Sequence, residues 1–441
     1  MNESAGHRTR LKGWTAPILF VALFWIYAAN DREIGAGDTL PTLLLPVAIL
    51  RGDGLKLDRF GALWPGPLPY YLALKRGHIV SRYPVAVALF AVPLIAPQLV
   101  VLDAKYPRWE QQPIYFARRM GKNAAAMLAA LTGVAILELL RRLTPERFAV
   151  LAAAIAALGS NLWVVASQSL WQHGPAALAL TLAVALLLRP DATRARLCMA
   201  GLATAALVGF RPQNFVFALA IFGWVAVRQR ARVAWFLPFP LLIGAALAGS
   251  NYATFENVAG GYAEMLPILP YSHGVASYWT TDALGGASGT LLSPSRGLFV
   301  FCPWIAVALA TLPATRARLK RWSLIGVLLL ASMAFLLQLA LQSVWWAGHS
   351  FGPRYWTDVI PLFAIVLAWA LEWSWDRSRP MFGVLLLTGL FSIGVQGLGA
   401  FCYPSSWNNR PGNIDQQHER LWDWRDSDLT RCLLECREKK W

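Results

Sequence analysis

The sequence predicts an all-α fold, a polytopic transmembrane helical bundle, and three observations predict it. Of 441 residues, 56% are hydrophobic and only 15% charged, with a mean hydropathy of +0.44, a balance far from that of soluble domains. The apolar residues gather in runs, many of them near the roughly 17–25 residues that a helix needs to cross a hydrocarbon slab of about 30 Å. Between those runs the short loops are basic. Barrel strands would alternate polar and apolar residues, and no such alternation is present, so helices satisfy the backbone in lipid.

Eleven runs are candidate crossings, near 14–30, 122–140, 148–166, 174–189, 197–210, 213–227, 233–249, 297–313, 323–341, 357–373 and 381–400. The opening MNESAGHRTRLKG is basic, and the run after it has no small-residue cleavage site, as expected of a retained first helix. A further run, 84–102, contains Pro93 and Pro97. Proline removes a backbone donor and bends a helix, so this run is expected to be re-entrant. PTLLLPVAILRGDG (41–54) is expected to be a helix lying in the interface, and 64–84, rich in proline and tyrosine, an irregular surface segment. The predicted organisation is a bundle over 1–400 with long loops 31–121 and 250–296, followed by a polar tail, 401–441, to which no chemistry is assigned.

Basic residues in short loops stay on the cytoplasmic side. With residues 1–13 inside, that side receives Arg8, Arg10 and Lys12; Arg141, Arg142 and Arg147; Arg189, Arg194 and Arg196; Arg228, Arg230 and Arg232; Arg316, Arg318, Lys320 and Arg321; Arg377 and Arg379. The net charge of +16 is thereby accounted for by topology, and a nucleic-acid partner, which would need one basic stripe, is not expected. Five cysteines show no metal spacing. A disulfide among Cys402, Cys432 and Cys436 fits a tail in an oxidising compartment.

Three carboxylates, Asp31, Glu33 and Asp38, follow the first crossing at the bilayer surface. A first helix leading into an outer acidic loop, then a many-helix bundle with RRLTPERFAVLAAA at an inner turn, resembles the GT-C superfamily of membrane glycosyltransferases. GDTLPT (37–42), VSRYP (80–84), SLWQHGP (169–175), SPSRGLF (293–299) and SFGPRY (350–355) resemble a bacterial branch of it. The resemblance implies an enzyme of the inner membrane that moves a sugar from a polyprenyl-phosphate carrier to a lipid, glycan or protein acceptor at the outer face, usually with inversion. It also implies an acid of the first outer loop as general base or metal centre. The Asp-x-Asp pattern of some branches is missing here, which leaves the acid and any need for Mg or Mn open.

Such a transfer needs a base, a cationic site for the departing phosphate, and positioning. Asp38 is the first choice of base, because Gly37 permits close approach and Pro41 restrains the chain; its alternative is a helix N-cap. Glu33 and Asp31 are the other candidates, as base or, with Asp38, around a divalent cation. Arg296 and Arg354, each beside glycine and proline, suit a phosphate gripped by two parallel hydrogen bonds, or else snorkel to the headgroups. Arg211, Arg82 and Lys75 are further cations for the phosphate. His173 and His349 are candidate phosphate ligands or proton carriers, and His78 is a third histidine. Glu256 and Glu264 lie in a loop, 251–290, that can cover a site. A transporter of lipid-linked saccharide or polysaccharide is the rival reading.

Overall fold

The computed structural model describes residues 3–188, 193–321 and 323–438, and there each of the eleven apolar runs falls on helical segments. Arg189, among the basic loop residues, lies outside the described residues. The chain runs through α1 (Glu3–Ala28), α2 (Thr39–Leu50), a hairpin of β1 (Leu72–Lys75) and β2 (His78–Ser81), α3 (Ala86–Lys105), α4 (Pro113–Leu140), α5 (Glu146–Leu158), α6 (His173–Leu187), α7 (Arg194–Phe210), α8 (Phe215–Arg228) and α9 (Pro238–Phe255). Short helices follow: α10 (Gly261–Met265), α11 (Leu269–Ser272), α12 (Ala283–Leu292), α13 (Leu298–Phe301), α14 (Pro303–Ala310) and α15 (Leu312–Arg321). The chain ends with α16 (Ser323–Ala340), α17 (Ile360–Arg377), α18 (Arg379–Cys402) and α19 (Asp428–Glu438). The run 148–166 is α5 continued by a π turn, Leu162–Ala166, and 297–313 is broken at Cys302–Pro303 into α13 and α14.

α17 is the axis of the bundle. Every residue from Ile360 to Leu371 is buried, as a helix apolar on all sides must be. It packs on α5, α14 and α18. α1 locks onto α4 by a knob: a Cβ on Gly133 would stand 2.4 Å from the Leu23 side chain, so only glycine leaves room for that leucine.

The basic loops meet at one end of this bundle. Arg318 pairs with Glu372 at 2.9 Å and also donates to the Leu143 carbonyl, Thr144 donates to Glu372, and Arg147 and Arg379 both lie over the Trp375 ring. The loop between α1 and α2 lies at the opposite end, where Lys122 near the start of α4 bonds Asn30.

The 84–102 run is not broken at its prolines. It forms one helix, α3, long and apolar enough to cross a membrane, yet its contacts lay it along the Asn30 end of the bundle. Phe90 packs against Phe210, the last residue of α7, while Gln98 bonds the Met120 carbonyl and Asn123 in the second and third turns of α4. Pro93 and Pro97 are four residues apart and both exposed, so the missing N–H groups share the face turned away from Ala91, Ile95 and Leu99, which are buried. α2 runs beside α3, and the two are tied near their ends by Arg51 and Asp103 at 2.5 Å. The 64–84 segment is also more regular than expected: β1 and β2 pair antiparallel, Leu72 with Ser81 and Lys75 with His78, around Arg76 and Gly77, both at positive φ, as a two-residue hairpin turn requires.

The tail is fastened to the bundle. α19 packs on α18, Ser293 donates to the Leu421 carbonyl, and Cys402 is joined to Cys436 by a disulfide. Closing a loop across 34 residues restricts the unfolded chain, so Cys402→Ser is expected to destabilise the protein by about 2–4 kcal/mol. Thermal melting in detergent, with and without reductant, checks this: reductant should lower the wild-type midpoint and leave that of the variant unchanged.

Candidate active site

The loop from Asn30 to Asp38 is anchored at intervals. Asn30 donates to the Ala400 carbonyl, Arg32 to those of Phe401 and Tyr403, the Ile34 amide to the Gln168 carbonyl, and the Trp171 indole back to the Ile34 carbonyl at 2.8 Å. These bonds aim the end of the loop at a cavity of about 400 Å³. Asp38, Tyr70, Tyr83, His173, Arg211, Tyr262, Tyr278, His349, Arg354 and Asp415 are among the residues that line it.

Asp38 occupies the N-cap position of α2, but its carboxylate caps nothing. One oxygen accepts from Arg354 Nη1 at 3.0 Å, and Oδ1 is buried with no partner. A capping acid would use its oxygens on the first-turn amides, so this acid is held for something else. Arg354 is placed by its Nη2 bond to the Ala347 carbonyl and by stacking over Trp171, 4.3 Å from the ring centre; its Nε carries no bond. Gly37 is needed beside Asp38, since a Cβ there would stand 2.9 Å from the Tyr71 ring and 3.3 Å from Tyr70 Oη. Gly37→Ala must therefore displace the loop. Its expected result is a turnover loss of about 10²-fold with the fold intact, as a misplacement of about 1 Å at reacting groups produces; turnover and melting temperature measured together check it.

Asp358, which sequence reasoning passed over, organises the cationic wall. It is fully buried at the end of the turn Arg354–Val359, with Oδ1 2.7 Å from His173 Nδ1 and Oδ2 accepting from Arg211 Nη1 at 2.7 Å and Asn214 at 2.8 Å. His173 is thereby locked, while Arg211 keeps Nη2 without a partner. The signal was present: Asp358 is the sole acid between 341 and 371 and opens an apolar helix, where an acid is costly.

The opposite wall comes from the tail and from the turn before Arg354. Asp415 accepts from Trp346 Nε1 at 2.8 Å and lies 3.0 Å from His349 Nε2 and 3.8 Å from His273 Nε2. Burial would raise the Asp415 carboxyl, but the bond from His349 and the nearby His273 hold it below its ordinary range. Ser405, Asn408 and Asn409 line the same wall. The tail thus contributes to the cavity, although no chemistry was expected of it. The 251–290 loop adds Tyr262, Met265, His273 and Tyr278 to the lining. Burial raises the phenols of Tyr70 and Tyr83, with the Asp38 charge adding to the effect, and pushes Tyr262 up to about 12. All three remain O–H donors at neutral pH.

The other predicted residues lie elsewhere. Arg296 does not line the cavity: all five of its N–H donors are used, on the carbonyls of Trp346, Ser295 and Gly348 and on Asp428 and Asn408. It fastens the turn that carries His349 and has no donor left for a phosphate. Lys75 and Arg82 both turn to Glu264, which ties the hairpin to α10. His78 pairs with Asp58, and Glu256 is exposed beside Arg76.

Asp31 and Glu33 open on a neighbouring cavity with Arg118, Arg119 and Lys122. Asp31 is exposed and paired with Arg119; burial raises the Glu33 carboxyl against the pull of Ser169, Arg118 and Lys122. These two acids therefore do not converge with Asp38 on one cation, and among the described residues no three His, Cys, Asp or Glu side chains form a metal-binding group. What the first cavity offers is a carboxylate oxygen with no partner, near two guanidinium groups that each keep an unused N–H.

No protein-family model matches the sequence, and no curated protein matches it. Among solved structures, the chain is similar to ArnT from Cupriavidus metallidurans bound to undecaprenyl phosphate, with a TM-score of 0.50 at 14% identity over 98% of this chain and 75% of that one. The apo state of the same protein gives 0.48 at 15% identity, over 97% and 75%. The archaeal oligosaccharyltransferase AglB from Archaeoglobus fulgidus, in complex with an inhibitory peptide and a dolichol-phosphate, gives 0.48 at 12% identity, over 95% and 61%.

Proposed function

We propose that this protein, whose fold is that of the GT-C superfamily of membrane glycosyltransferases, transfers a sugar with inversion from a polyprenyl-phosphate donor to an acceptor hydroxyl. One observation carries the reading: Asp38, with one oxygen on Arg354 and the other unpartnered, shares a cavity with the unused N–H groups of Arg354 and Arg211. In the proposed step Asp38 takes the proton of the acceptor hydroxyl as its oxygen bonds the anomeric carbon. The bond from that carbon to the phosphate oxygen breaks, and its electron pair leaves on the phosphate, where Arg354 Nε and Arg211 Nη2 meet the new charge. His173 holds no free role in this step; with Asp358 it positions Arg211. A bound undecaprenyl phosphate in ArnT is the class of carrier this arrangement suits.

The outer face of the bacterial inner membrane is the proposed location. The basic short loops lie at the end of the bundle away from the cavity, so retention of those loops in the cytoplasm puts the cavity outside. The tail disulfide supports the same side. A divalent cation recruited by Asp38 stays compatible with the carboxylate's free oxygen, and no step above depends on it.

Purified protein in lipid, given undecaprenyl-phosphate-linked sugars and a lipid extract as acceptor, is expected to release undecaprenyl phosphate and to form a glycosylated product. Movement of intact lipid-linked sugar across sealed vesicles, with no release, would instead establish the transporter.

A further inference from the structure

We infer that His349, oriented by Asp415 of the C-terminal segment, is a hydroxyl-recognising position that holds the sugar of the lipid-linked donor. This rests on the transfer reading above and adds to it where the sugar sits.

The turn carrying His349 is shaped for the purpose. Ala347 and Gly348 both have φ near +62°, and non-glycine residues rarely adopt that conformation. Two arginines hold the turn in place, Arg296 through the Trp346 and Gly348 carbonyls and Arg354 through the Ala347 carbonyl. His349 then lies half-buried with Nε2 at 3.0 Å from Asp415 Oδ2 and 3.2 Å from Asn413 Oδ1. An ionised carboxylate only accepts, so Nε2 carries a proton and donates to it, and Nδ1 is the ring nitrogen left for a ligand. No bond to Nδ1 occurs among the described residues, and His349 lines the cavity.

That pairing decides the ligand. The Asp415 carboxylate beside His349 lines the same cavity, where it accepts from a hydroxyl and repels a phosphate oxygen. Ser272, His273, Ser405, Asn408, Asn409 and Asp415 line the cavity as well. The guanidinium groups of Arg211 and Arg354 are held by Asp358 and Asp38. A molecule with an anionic group at one end and several hydroxyls at the other fits this polarity, and a sugar phosphate ester has that form. Asp415 is a positioning residue here, since it touches His349 and fixes the orientation of its ring.

The test is binding to full-length protein in nanodiscs, with undecaprenyl phosphate and a panel of undecaprenyl-phosphate-linked hexoses and pentoses as probes. Wild type is expected to bind at least one sugar-linked lipid more tightly than the bare carrier. His349→Phe and Asp415→Asn should each remove about tenfold of that sugar-dependent gain and leave carrier binding unchanged, while His349→Gln, whose amide oxygen accepts, keeps part of it. Arg354→Met should weaken carrier and sugar-linked lipid alike. Equal weakening of both probes by His349→Phe, or no effect of either substitution in protein of normal melting temperature, would overturn the sugar position and leave the transfer reading standing. Failure of wild type to bind any of the probes would overturn both.

Discussion

Asparagine at position 38 is expected to lower sugar transfer by about 10²–10⁴-fold, the usual contribution of a positioned general base. The carboxamide has nearly the same shape, and its oxygen can still accept from Arg354 Nη1, so the cavity should survive while the proton acceptor is lost. The substitution also leaves Arg354 as a buried cation without its counter-charge, and breaking one side of a buried pair is destabilising by about 3–5 kcal/mol in full. Melting temperature and carrier binding must therefore be measured beside turnover. The expected pattern is a folded protein that binds undecaprenyl phosphate at least as tightly as wild type, because the guanidinium no longer faces a competing carboxylate charge, and that turns over barely at all. Asp38→Glu separates charge from placement: it keeps Arg354 paired, moves the carboxylate by a methylene, and should fall between the two. Wild-type turnover in Asp38→Asn would end the assignment of Asp38 as base.

Arg296→Met is expected to produce the largest loss of stability, about 3–5 kcal/mol, with little change in carrier affinity for the protein that remains folded. The guanidinium fills a site it shares with fully buried Asp428, and its removal strands that carboxylate, whose remaining hydrogen-bond partner among the described residues is the Gly352 amide at 3.2 Å. It also releases the Trp346 and Gly348 carbonyls and so loosens the turn of His349. The double variant Arg296→Met with Asp428→Leu replaces both charges by apolar groups and should recover much of the loss. Thermal unfolding with carrier titration distinguishes this from a phosphate-binding role. If Arg296→Met melted like wild type and failed to bind undecaprenyl phosphate, the placement of Arg296 in the scaffold would be wrong.

How far each residue could be placed from sequence depended on the range of the interaction that defines it. The helices were legible because hydrocarbon imposes length and apolarity on each crossing separately, and the basic loops added an orientation. Asp38 and Arg354 were legible as chemistry-bearing residues near the same surface, each next to glycine and proline. Arg296 carries the same local signature as Arg354, and only Asp428, 132 positions later, shows that it is already saturated. That α3 is one unbroken helix was not legible, because two prolines suggest a break in the chain, whereas their shared exposure on one face is a property of the packing. The tail was misjudged because polar, tryptophan-bearing segments look alike whether they hang free or close a cavity.

The sequence by itself determined the solvent, the helical architecture and the short list of candidate ionisable groups, since each of these follows from local composition acting against lipid. Only the tertiary structure decided which of those groups share a cavity: Asp38 with Arg354 and Arg211, Asp358 behind His173, Asp415 against His349, with Asp31, Glu33 and Arg296 outside. Proton transfer and charge stabilisation work at hydrogen-bond distance, and contacts of that length between residues more than 60 to 300 positions apart, such as 349 with 415 and 38 with 354, are set by how the helices pack rather than by their local sequence.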